Sequence, residues 1–94
     1  MKTEDEVREF LENIQWERFT KKELEKALQV FFGTTNKLMK GTDDDAPRGI
    51  DHSYLFTTES DSYFSNLIDL KIWYCNSRKG EKLITGTEIL EYIE

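Results

Sequence analysis

The apolar residues of this chain change their spacing near Gly41. Before that point they fall at i, i+3, i+4 and i+7, one face of a helix; after Asp51 they mostly alternate, as along a strand. A segment patterned with one period does not settle stably in the other conformation. The switch therefore predicts one domain in three stretches: a helical part over residues 1–40, a junction loop over 41–51 and a β-rich part over 52–94.

The helical part carries its own boundary signals. Thr3 to Glu6 matches a capping box, and Val7, Phe10, Leu11 and Ile14 form the stripe behind it. Thr20 to Glu23 repeats the device, with Phe19 and Leu24 placed as a hydrophobic staple. Leu24, Ala27, Leu28 and Phe31 continue that stripe, and Gly33 marks its end. The short link from Gln15 to Phe19 makes the two helices neighbours, with Trp16 expected to plug their junction. Thr34 to Lys40 reads either as a short third helix or as an irregular turn.

In the β-rich part, Tyr54 to Thr58 reads as a strand, followed by a polar turn over Glu59 to Ser62. Phe64, Ile68, Leu70, Ile72 and Tyr74 alternate along a long second strand. Asn76 to Gly80 is a hairpin loop, and Lys82 to Thr85 returns as a third strand. Thr85 to Glu88 resembles another capping box, which predicts a short helix carrying Ile89, Leu90, Tyr92 and Ile93. A fourth strand over the same residues is the alternative. The expected fold is α+β: an N-terminal helical hairpin packed on a three-stranded antiparallel sheet, with a short C-terminal helix.

A chain of this length buries roughly 60–65% of its unfolded surface. Its 13% aromatic content argues against disorder. Cys75 is the single cysteine, so no internal disulfide forms, which suits a reducing compartment. Acidic residues interrupt the first dozen positions, unlike a secretory leader, and no apolar run approaches a membrane span. The expectation is a cytoplasmic protein with no membrane association. The net charge is −6, and residues 51–94 hold eight acidic against four basic residues. That balance disfavours nucleic acid, whose affinity is dominated by phosphate contacts, and favours a basic protein surface.

Few residue patterns carry chemistry. Asp43, Asp44 and Asp45 are adjacent, whereas a calcium loop spaces its oxygens alternately and adds a distal Glu. His52 and Cys75 are the lone imidazole and the lone thiol, too few for a structural zinc site. No nucleotide loop, nucleophile elbow or dinucleotide fingerprint is present. No catalytic residue, metal site or cofactor is expected.

The best partner surface is the odd-numbered face of the second strand, Tyr63, Leu67, Trp73 and Cys75, rimmed by Asp61 and Asp69. Its alternative is burial of that face under a helix. Together with Asp43, Asp44 and Asp45, these residues predict a non-enzymatic acidic interaction module, an inhibitor or adaptor that docks on a basic, nucleic-acid-binding surface of a partner protein. Small acidic accessory proteins of bacteria and phages offer an analogy for such a role. Homo-oligomers through the sheet edges remain open. The rival is a winged-helix-like DNA-binding regulator using Lys37, Lys40, Arg78 and Lys79, with Thr34 to Lys40 as its recognition helix.

Overall fold

The computed structural model describes residues 3–41, 52–59, 67–76 and 80–93. In chain order they form α1 (Glu4–Ile14), β1 (Arg18–Phe19), α2 (Lys21–Phe32), β2 (Met39–Lys40), β3 (His52–Thr57), β4 (Leu67–Asn76) and β5 (Lys82–Ile93). The strands make one curled antiparallel sheet in the order β1-β5-β4-β3-β2.

Both helices begin where the threonines predict. The Thr3 hydroxyl accepts from Glu6 N–H at 3.2 Å. At Thr20 the box is reciprocal: its hydroxyl accepts from Glu23 N–H, and the Glu23 carboxylate accepts from Thr20 N–H. Gly33 ends α2 in the left-handed region at φ 66°, where a side chain would be strained. Val7, Leu11 and Ile14 of α1 and Leu24, Leu28 and Phe32 of α2 are buried against one sheet face. That face presents Tyr54 and Phe56 from β3, Ile68, Leu70, Ile72 and Tyr74 from β4, and Ile84 from β5. Phe10 and Phe31 stack between the helices with centroids 4.1 Å apart.

The architecture differs from the expected one in two places. The sheet has five strands rather than three, because two-residue strands form in segments too short for any period to show. One of them, β1, lies inside the link between the helices and pairs Arg18 with Leu83 and Phe19 with Lys82. The segment 34–38 takes the irregular one of its two readings, not the short helix, and side chains hold it so. The Gln29 amide donates to Asn36 O, the Asn36 amide donates to Thr57 O, and Leu38 N–H donates to the Glu25 carboxylate.

The second difference is the larger: the expected C-terminal helix does not exist, and Lys82–Ile93 is a single strand. Two β-bulges explain the misreading. Against β4, the register skips Thr85 between Ile84 and Gly86, and skips Leu90 between Ile89 and Glu91. Each bulge adds one residue to the strand. The residues opposite the buried face of β4 become Ile84, Thr87, Ile89 and Tyr92, and with the bulged Leu90 beside Ile89 the strict alternation of a strand is lost, so that Ile89, Leu90, Tyr92 and Ile93 read locally as a helix. Thr85 caps nothing, and its buried hydroxyl has no hydrogen-bond partner.

Candidate functional site

β4 is the central strand, so its two faces meet different surroundings. The even residues enter the core, and the odd residues, Leu67 to Cys75, lie on the face turned from both helices. Cross-strand registers place the neighbours of that outer face in rows. Ser53, Trp73 and Gly86 form one, Leu55, Lys71 and Glu88 the next, and Thr57, Asp69 and Glu91 the third.

The third row is electrostatically unfavourable. Asp69 and Glu91 stand directly opposite each other, and like charges in that relation destabilise a sheet. Asp69 Oδ1 is buried and accepts no hydrogen bond. The nearest lysine along the strand does not answer it, because Lys71 Nζ lies over the Trp73 ring, 4.2 Å from its centroid. Among the described residues no lysine or arginine makes an ion pair with Asp69, Glu91, Glu88 or Glu59.

A depression of about 210 Å³ lies beside this row, lined in part by Met39, Leu55, Thr57, Glu59, Asp69 and Leu90. Met39 is 61% exposed and Leu90 49% exposed. The bulge at Leu90 places an apolar residue next to the unpaired carboxylate. The surface is thus apolar at its floor and negative at its rim.

Of the residues expected to bind a partner, the structure keeps Leu67 and Asp69 on this face, half-buried. Trp73 shares the face but is only 9% exposed, so it supports the surface rather than protruding from it. Its cross-strand neighbour is Gly86, where an added Cβ would lie 3.6 Å from the indole. Asp43, Asp44, Asp45, Asp61 and Tyr63 lie outside the described residues, as do Arg78 and Lys79. The sequence did not mark Met39, Leu55, Leu90, Glu59 and Glu91 as site residues. The apolar pair Ile89-Leu90, which strict alternation does not allow, was the available signal of a bulge.

Trp16 departs from its expected role as a plug. It is 65% exposed and adopts φ 70°, a left-handed conformation unfavourable for a bulky side chain. Its N–H donates to Ile84 O at 2.7 Å, and that bond holds the turn in place. On the helical side, Phe10, Phe19, Ala27, Val30 and Phe31 line an open groove of about 740 Å³ edged by Lys22 and Lys26.

Lys37 and Lys40 are exposed on the irregular stretch and on β2, not on a helix. His52 stands across from Tyr74, its ring 5.6 Å away, while Cys75 follows on the opposite face of β4. Among the described residues no three His, Cys, Asp or Glu side chains gather to hold a metal ion, and no helix is long and apolar enough to cross a membrane. Comparison with protein-family models, curated proteins and solved structures finds no match to this chain.

Proposed function

We propose that this chain is a non-enzymatic interaction module of the cytoplasm that docks on a basic surface of a partner protein through the outer face of its sheet. One observation carries the reading: Asp69 is held opposite Glu91, with one oxygen buried and unpartnered, beside exposed Met39 and Leu90. That arrangement costs folding stability, since removing an unsatisfied buried oxygen and a like-charge contact would stabilise the sheet. A lysine or arginine from a partner relieves both terms at once. Its aliphatic stem covers Leu90 and Met39 while its charge meets the carboxylates. The role of inhibitor or adaptor follows if that partner surface otherwise holds nucleic acid. The irregular, non-helical form of residues 34–38 favours this reading over a DNA-binding regulator, which would need its recognition helix there.

The test is a titration of the labelled protein with oligolysine, followed residue by residue by NMR. Shifts should concentrate at Met39, Asp69, Leu90 and Glu91 and fade as salt rises. Shifts spread evenly over Glu4, Asp5 and Glu9 of α1 would refute the assignment, because they would report net charge alone.

A further inference from the structure

We infer that the outer edge of β5 receives a short, extended, lysine- or arginine-bearing segment of the partner as a sixth strand, laid in the groove between that edge and α1. The inference rests on the reading above for the sign of the partner's charge, and adds how the partner is held.

The two edges of the sheet are finished differently. Along β3, residues 36–41 seal the outer side. The Asn36 amide donates to Thr57 O, Met39 and Lys40 pair with Leu55 and Tyr54, and Gly41 N–H donates to Ser53 O. Along β5 the cover stops early. β1 reaches Lys82 and Leu83, and the link residues Trp16 and Glu17 exchange hydrogen bonds with Ile84. From Gly86 to Ile89 no described backbone segment pairs with the outer side. An edge left this way is a template for an added strand. The bulges at Thr85 and Leu90 bound the regular run, so the site suits a short segment and resists sheet-to-sheet stacking.

The edge also has a wall. Arg8, Leu11, Glu12 and Gln15 of α1 face Thr87, Glu88 and Ile89 of β5 across a groove of about 370 Å³. Arg8 is engaged by Glu4 at 2.8 Å. Glu12 and Glu88 have no such cation among the described residues. An incoming strand thus meets a carboxylate on each side, and its cations select themselves. A second copy of the chain fits poorly. Each copy carries a net charge of −6, and antiparallel self-pairing of this edge sets acidic residues 88 and 91 near the same two in the other chain. Trp16 stands exposed beside Ile84, where the sealed part of the edge ends. Large aromatics so placed are frequent anchors of interfaces.

The probe is an octapeptide alternating lysine and valine, compared with the same peptide N-methylated at every second backbone nitrogen. Methylation keeps the charge and deletes the hydrogen-bond donors of one peptide edge. The parent peptide should slow amide exchange within Gly86 to Ile89 and bind about ten-fold more tightly, the value of one to two net hydrogen bonds. Equal binding of both peptides, with shifts at Asp69 and Glu91, would overturn strand addition while leaving the acidic docking face intact. Binding of neither would overturn both. A concentration-dependent dimer of the free chain, with the same protection at Gly86 to Ile89, would overturn the partner in favour of a second copy.

Discussion

Replacing Trp16 by glycine and by alanine gives two variants whose stability order runs against the usual one. Elsewhere in a chain, glycine is the less stable choice by about 0.5–1 kcal/mol, because it loses more backbone entropy on folding. At Trp16 the backbone stands at φ 70°, held by the bond from its N–H to Ile84 O. A Cβ in that region costs about 1–2 kcal/mol, which alanine retains and glycine removes. Both variants lose the same indole. About a third of the residue is covered, or roughly 80 Å² for a tryptophan, so each forfeits at most about 2 kcal/mol of burial. That loss cancels in the comparison. Net of its entropy cost, glycine should therefore exceed alanine by about 0.5–1 kcal/mol, a difference of about 2–8 °C in melting temperature for a domain of this size. Urea denaturation of the pair, at matched m values, reads the gap directly. Alanine equal to or more stable than glycine would refute the strained turn.

Two other glycines and one asparagine give contrasting expectations. Gly86→Ala should be neutral or stabilising by up to about 0.5 kcal/mol in thermal denaturation, because the new methyl rests on the Trp73 ring at ordinary contact distance. Gly41→Ala should destabilise by about 1–3 kcal/mol in the same assay, since its Cβ collides with the hydroxyl of fully buried Ser53. Asn36→Ala removes the 2.6 Å bond to Thr57 O and should cost about 1–2 kcal/mol in urea, with faster amide exchange along 36–41.

The helices were legible because their signals are local. Thr3, Thr20 and Gly33 each act within one turn of their own position, and the stripes behind them need no partner to be recognised. The buried face of β4 was legible for the same reason, as Ile68, Leu70, Ile72 and Tyr74 keep strict alternation. The strand β5 was not. Its bulges arise from pairing with β4, and they shift Ile89 and Tyr92 into a spacing that locally resembles a helix. The short strands β1 and β2 depend wholly on what they meet across the sheet. Asp69 was visible as an acid on an aromatic face, but its conflict with Glu91 exists only once the register is known. Trp73 was overvalued as an anchor, because nothing local shows that Lys71 covers its ring.

In the proposed mode of docking, the position of the carboxylates on the sheet, rather than their number, recruits a cationic partner. Two variants of equal net charge isolate position: Asp69→Asn with Glu91→Gln on the outer face, and Asp5→Asn with Glu9→Gln on exposed positions of α1 away from the β5 groove. Oligolysine affinity measured by calorimetry at low salt should fall several-fold for the sheet variant and stay close to wild type for the helix variant. Equal losses in the two variants would mean that the sheet face binds nothing in particular.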